Sequence, residues 1–501
     1  MHRPMQDMPE NGLNEGVLSQ LPDTIERPRY DRAGLKPGIV HVGLGNFHRA
    51  HQAWYLHRLM QAGEAHDWAI VGAGVRPADS AMRARLLEQD CLTTLIELDP
   101  KGKSVEITGS MIDFLPVEDG NGALIRCISD PSIRIVSLTV TEGGYFIAPD
   151  GGLDLSHPEI RHDIANPDAP RTVFGAIVAG LETRRRSGQN PFTVQSCDNL
   201  KGNGDITRNA VVTLARQRDP ALADWIDTRG AFPNSMVDCI VPATGPAELA
   251  LAESFGIKDA APVTHENFRQ WVIEDKFCAG RPDWDRAGAT FSGDVHAYEA
   301  MKIRMLNAGH QVLANAGEIL GVETIAGCMA DDDISALFER VQRREIAPLV
   351  EPTPEMNPLQ YVELITLRFS NPEIHDTTRR VAFDGLSRHR GFVVPIIADA
   401  LEGGHPVEGL ALVEALWARM CAGNRENGDA ISPNDPDWES LVAAANMARM
   451  KPLHWLEQGH IYGDLARIER FSSAFVEAFE TVWRDGARAA IRAYVEAAGM
   501  R

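Results

Sequence analysis

The stretch Gly38-Ile39-Val40-His41-Val42-Gly43-Leu44-Gly45 narrows the fold more than any other part of the chain. An apolar run ending in two glycines is a buried strand entering a tight turn. Residues 48–60 follow with a helical pattern, which completes a strand, a turn and a helix. In a dinucleotide-binding unit such glycines let the backbone approach a pyrophosphate, which rests on the unpaired N–H groups of the following helix. Gly43 and Gly45 occupy the first two places of G-x-G-x-x-G, but His48 stands at the third, so the motif is incomplete.

A second strand is predicted over 68–74. Just beyond it, Asp79 can accept from the ribose hydroxyls of a cofactor without a 2′-phosphate, whereas Arg76, closer to the strand, favours a 2′-phosphate. Further apolar runs at 92–98, 104–107, 133–140, 192–196 and 236–241 alternate with helical or loop segments, the pattern of an α/β sheet. Several end in small or polar clusters: Thr139-Val140-Thr141-Glu142-Gly143-Gly144-Tyr145, Ser196-Cys197-Asp198-Asn199 and Val237-Asp238. Ligands of open α/β sheets bind beyond strand C-terminal ends, which makes these clusters candidate contacts. The same residue types also end strands through turn chemistry alone.

After about Ser292 the pattern becomes helical, with stretches at 297–320, 333–346, 359–368, 394–402, 409–421, 436–448 and 470–498. The expectation is a polar extension over 1–30, a Rossmann-type α/β domain over 31–291 and a mainly helical domain over 292–501.

The helix that opens the second half carries Glu299, Lys302, Asn307 and His310. At about 100° per residue these four fall within an arc of about 140°, so a carboxylate, a cation, an amide and an imidazole share one face. Lys302 and His310 lie about 12 Å apart along the axis, a span suited to an extended substrate and too wide for one metal ion. Arg304, Gln311, Asn315 and Glu318 widen the polar arc, as on any half-exposed helix, so periodicity alone does not make this face a site.

Composition removes several function classes. The net charge of -21 disfavours nucleic acid and anionic membrane as partners. The 7 cysteines are scattered without a Cys-x-x-Cys pair, which suits a reducing compartment. No apolar run approaches membrane-spanning length, and residues 1–30 lack the apolar core of a signal peptide, so a cytoplasmic location is expected.

Taken together, Gly43-Leu44-Gly45-Asn46-Phe47-His48-Arg49-Ala50-His51, the 139–145 cluster, Ser196–Asn199, Asn234-Ser235-Met236-Val237-Asp238 and the run from Lys302 to His310 resemble the long-chain polyol dehydrogenases. The resemblance runs in order from about residue 38 to 400. It implies a metal-independent, NAD-linked enzyme that interconverts a polyol and its ketose, with mannitol and fructose the expected pair, working as a monomer. It places the site in a cleft between a Rossmann-type domain and a helical domain.

By motif position, the resemblance makes Lys302 the general base. Asn199 and Asn307 hold the developing alkoxide, His310 orients the substrate, and Glu299 relays the proton to solvent. Asp238, Arg380 and Arg388 contact substrate, while Gly43, Gly45, Phe47, His48, Asp79, Thr141 and Glu142 serve the cofactor. The residue types suit these roles: burial lowers a lysine pKa toward the working range of a base, and amide donors aimed at an oxyanion cost little reorganisation.

Two positions depart from the family pattern. Arg388 stands where lysine is expected, and Cys239 replaces an arginine after Asp238. An arginine fork suits a carboxylate at least as well as a hydroxyl, so a sugar-acid oxidoreductase of the fructuronate reductase type, or an arabinitol dehydrogenase, is the alternative. Zinc catalysis needs a clustered ligand set, whereas the cysteines are dispersed and His48 with His51 is a single pair. A non-catalytic nucleotide-binding module would leave the Lys302, Asn307 and His310 constellation without a purpose.

Overall fold

The computed structural model describes residues 12–499 and divides into two compact units between His296 and Ala297. Among the described residues the first unit holds eleven strands: β1 Pro37–Val42, β2 Ala69–Ala73, β3 Thr93–Asp99, β4 Gly102–Thr108, β5 Met111–Phe114, β6 Ile135–Leu138, β7 Thr193–Ser196, β8 Ser235–Asp238, β9 Val263–Glu266, β10 Gln270–Ile273 and β11 Thr290–Phe291. Five of them form a parallel sheet in the order β5-β2-β1-β6-β7. β2, β6 and β7 are buried along their whole length and β1 at all but its first residue, as expected for Val- and Ile-rich runs packed on both faces. Strand order reverses between β1 and β6, and the crevice beyond such a reversal is where α/β sheets take ligands. Two three-stranded sheets, β4-β3-β9 and β11-β10-β8, complete the unit.

The helix expected over 48–60 is broken. Asn46–Ala50 (α1) and Gln52–Gln61 (α2) meet at His51, whose φ of -120° and ψ of -96° leave the helical region. The cause lies in the side chains. His48 stacks on His41 with ring centroids 3.4 Å apart, while His51 Nε2 lies 3.1 Å from the Gln270 carbonyl. The extension is not loose over its described part: Leu13, Val17, Leu21 and Ile25 are buried, and Arg27 Nη1 donates to the Leu18 and Leu21 carbonyls. Residues 1–11 lie outside the described part of the chain.

The second unit is helical around a core that includes Trp417, Trp455, Phe471 and Phe475, all fully buried. The predicted stretches all fall on helical elements, but the short helices Ile325–Ala330 and Thr378–Ala382 lie outside them, and the run over 470–498 is two helices, Glu469–Asp485 and Ala487–Gly499. They part at Gly486, whose φ of +92° only glycine adopts freely. Among the described residues no helix is long and apolar enough to cross a membrane.

Burial holds the imidazoles of His41 and His265 down to about 3 and that of His48 well below its ordinary value. An unfolded chain therefore binds more protons than the folded one as pH falls through about 6.5, and stability declines in that direction. Each such histidine removes up to about 2 kcal/mol by pH 5. Thermal melts should show Tm several degrees lower at pH 5 than at pH 7; an unchanged Tm would contradict neutral burial of these rings.

Candidate functional site

Beyond the β1/β6 reversal lies a cleft of about 810 Å³, lined among others by Gly43, Gly45, Arg76, Asp79, Thr139, Thr141 and Gly143. Gly43 has φ +98°, and a Cβ there would meet the Thr139 carbonyl oxygen at 2.0 Å, so the turn that opens the cleft requires glycine. Thr139 Oγ1 donates to the Gly43 carbonyl at 2.5 Å and lies 2.8 Å from His41 Nε2, which ties the ends of β1 and β6 together. Gly74 leaves room for Asp79: a Cβ on it would fall 2.3 Å from the aspartate Cβ. Asp79 Oδ2 accepts from the Arg76 N–H at 3.0 Å, so the two residues expected to compete over cofactor choice belong to one turn.

Not every residue expected at the cofactor lines this cleft. His48 is 1% exposed with its ring against His41, and Phe47 stacks on His51 at 4.8 Å; neither side chain is part of the lining. Glu142 is exposed at the start of a short helical turn, Glu142–Tyr145.

At the end of β7, Asn199 is exposed and Asp198 is buried. The Asp198 carboxylate accepts from the Val140 N–H at 3.0 Å, the Thr141 N–H at 2.9 Å and the Tyr145 hydroxyl at 2.7 Å. Burial pushes its carboxyl up, against hydrogen bonds that favour the charged form. Asp238, 5% exposed, ends β8. Asn203 joins the two strand ends: its Nδ2 donates to the Asp198 and Ser235 carbonyls at 3.0 and 2.7 Å, and its Oδ1 accepts from the Ser235 N–H at 2.9 Å. Cys239, after Asp238, is half-buried.

In the helical unit, the element that carries Lys302 is not a regular α-helix. Val295–Met301 is α-helical, Lys302–Asn307 is a π-helical turn and Ala308–Leu320 is α-helical again. The i→i+5 bonding of a π-turn brings residues five apart above one another. Lys302 and Asn307, which a regular helix would set about 140° apart, thus come to the same side. Gln342, fully buried in a second π-turn at Gln342–Ile346, donates from Nε2 to the Met305 carbonyl inside the first at 2.8 Å. Glu299 and Lys302 are 4% and 8% exposed.

His310 follows on the same element, buried, with its ring stacked on Phe369 at 4.3 Å and an interplanar angle of 19°. Burial first, and then the Arg380, Arg388 and Arg368 guanidinium groups, pull its pKa to about 4 against the opposing field of Asp376. The imidazole is therefore neutral at ordinary pH. Its Nε2 has no hydrogen-bond partner among the described residues, an orphan that a substrate hydroxyl can satisfy. Arg380 is committed elsewhere: its Nε and Nη2 grip Asp376 at 2.6 and 2.7 Å. Arg388 is half-buried one residue before a third π-turn, His389–Val393. Among the described residues no group of three or more His, Cys, Asp and Glu side chains is arranged to hold a metal ion.

A Rossmann-type unit with a glycine turn at its switch point, followed by a helical unit presenting a lysine, an amide and a neutral imidazole, defines a class of dinucleotide-dependent oxidoreductases. Comparison with known families narrows it. The Mannitol dehydrogenase Rossmann domain matches residues 37–286, and the Mannitol dehydrogenase C-terminal domain matches residues 294–483. The chain is 52% identical to mannitol 2-dehydrogenase of Cereibacter sphaeroides over 95% of its length and 99% of that protein. It also resembles Pseudomonas fluorescens mannitol 2-dehydrogenase, solved as a ternary complex with NAD and D-mannitol (TM-score 0.86, 39% identity, covering 97% of this chain and 99% of that one). A D-sorbitol dehydrogenase solved in substrate-free form is similar at TM-score 0.85 and 34% identity, over 96% of this chain and 100% of that one. The chain belongs to the mannitol dehydrogenase family.

Gln342 is the support of the wide turn. Gln342→Leu leaves the Met305 carbonyl short of a donor in a buried place and should cost about 1–3 kcal/mol, read as a lower denaturant midpoint. A midpoint equal to that of the unsubstituted protein would remove this role.

Proposed function

We propose that the chain is a cytoplasmic, monomeric, NAD-dependent polyol dehydrogenase that interconverts D-mannitol and D-fructose, with Lys302 as general base and no metal. What supports the substrate is 52% identity across nearly the whole chain to a mannitol 2-dehydrogenase. The observation that carries the mechanism is the π-turn that sets Lys302 and Asn307 on one side of their helix, with a neutral His310 after them.

The glycine turn at Gly43, which has no room for a Cβ, and the cleft it opens fit a dinucleotide. Gly43 and Gly45 hold the pyrophosphate, Asp79 accepts from a ribose hydroxyl, and the 139–142 loop meets the remaining half. The dinucleotide, when bound, accepts a hydride from the carbinol carbon. Lys302 Nζ takes the proton of the substrate hydroxyl, and Glu299 passes it to solvent. Asn307 donates to the oxygen as negative charge grows on it, with Asn199 assigned as a second donor. His310 Nε2 orients a neighbouring hydroxyl, and Asp238 contacts others.

Arg380 favours this reading over a sugar acid. Two of its fork nitrogens already hold Asp376, so they are not free to grip a carboxylate of the substrate. The test is kcat/KM across mannitol, sorbitol, arabinitol and mannonate with NAD. Mannitol should lead, and a lead for mannonate would make the acid reading correct.

Lys302→Ala should lower kcat by several orders of magnitude while the dinucleotide still binds. The rise of kcat/KM with pH in the oxidation direction should disappear in that variant. Loss of activity on chelation and its return with zinc would instead assign acidification of the alcohol to a metal. For the cofactor, Asp79→Ala should shrink the preference for NAD over NADP by about tenfold or more, since a carboxylate repels a 2′-phosphate. A native preference for NADP would mean that Arg76 prevails.

A further inference from the structure

Thr141 lines the dinucleotide cleft with φ +64° and ψ +166°, a region of backbone space that is essentially glycine-only. A β-branched residue there is an outlier that persists only if its surroundings impose it. The imposing group is visible. The two oxygens of Asp198 accept from the consecutive N–H groups of Val140 and Thr141, which fixes both peptide planes. The Tyr145 hydroxyl braces the same carboxylate and lies 2.5 Å from Ser196 Oγ, so the clamp is anchored to β7.

Its placement gives the clamp a purpose. The sheet order puts β1, with the Gly43 turn, between β2 and β6. Asp79 follows β2 and Thr141 follows β6, so the two stand on opposite sides of the glycine turn. If Asp79 serves the ribose of the adenosine half, the strained loop meets the other half. The residue after Asp198 is Asn199, the assigned donor to the substrate oxygen.

We propose that Asp198 is a positioning residue: by clamping Val140 and Thr141 it holds a strained loop in the shape that receives the nicotinamide half of the dinucleotide. This rests on the dinucleotide-dependent reading above. Without the clamp Thr141 relaxes toward ordinary φ, and binding weakens by the fraction of molecules that leave the competent shape.

The test compares glycine with alanine at position 141, since both remove the threonine side chain but only glycine tolerates the positive φ. In the otherwise unsubstituted full-length protein, Thr141→Gly should melt above Thr141→Ala, the reverse of the order at an ordinary backbone position. The second readout is NADH titration followed by nicotinamide fluorescence. Asp198→Asn should bind NADH about tenfold or more weakly. Adding Thr141→Gly should recover at least about threefold of the loss and adding Thr141→Ala should recover none. The clamp is overturned if Asp198→Asn binds NADH as tightly as the parent, if glycine and alanine recover equally, or if Thr141→Ala melts at or above Thr141→Gly. Should Asp198→Asn fail to fold, the melting order of the two Thr141 variants decides. Failure of the dinucleotide reading itself looks different: the unsubstituted protein would not bind NADH.

Discussion

Lys302 and Asn307, which a regular helix sets at the two edges of one face, are drawn together because the backbone between them is wound more widely than an α-helix, and a wide turn inside a packed bundle needs support. Gln342 supplies it from within, through a buried donor on the Met305 carbonyl. The other two π-turns, Gln342–Ile346 and His389–Val393, pack against the first, so the distortion is shared among neighbours. The third is pinned by a buried polar chain. Asn315 Nδ2 donates to the Gln311 carbonyl at 3.1 Å and lies 2.9 Å from His389 Nε2, while His389 Nδ1 lies 2.7 Å from Glu414 Oε1. The Tyr462 hydroxyl donates to the other oxygen of Glu414 at 2.5 Å. Since both Asn315 amide hydrogens are used, His389 accepts at Nε2 and donates from Nδ1, and its ring lies flat on Trp417 at 4.1 Å. Arg388 is thereby held next to one of the most constrained side chains in the unit.

The α/β unit solves a related problem with backbone strain. At Gly43 the positive φ is free because glycine has no Cβ, whereas at Thr141 it costs about 1–3 kcal/mol and is held by a buried carboxylate. Both residues line the same cleft. In the same unit burial also sets charge states: His41 and His48 are both held neutral, so neither adds an imidazolium behind the glycine turn.

Much of this was legible in the residues. The main-sheet strands whose runs are continuously apolar can be read to within a few residues, because a strand buried on both faces has no polar interruptions; β5, with Asp113 inside it, carries no such signal. The change to a helical second half was equally plain. A regular helical wheel brings out the face with Glu299, Lys302, Asn307 and His310 and sets Lys302 and Asn307 at its two edges; it does not show the π-turn, whose support, Gln342, lies far along the chain. Nor does the sequence say that two of the Arg380 fork nitrogens hold Asp376. Asp198 passed as strand-end chemistry, since nothing in Ser196-Cys197-Asp198-Asn199 says that its carboxylate reaches back to residues 140 and 141. His48 stands at the third glycine position of the motif, and nothing near it in sequence marks its ring partner, His41, on the strand before the turn.

The proton transfer assigned to Lys302 is open to a direct chemical test. In Lys302→Ala, at saturating mannitol and NAD and fixed pH, small primary amines should restore oxidation in proportion to their concentration, with the more basic of two amines of equal size restoring more. If no amine raises the rate of the variant, the base lies elsewhere, and the wide turn at Lys302–Asn307 is a feature of packing alone.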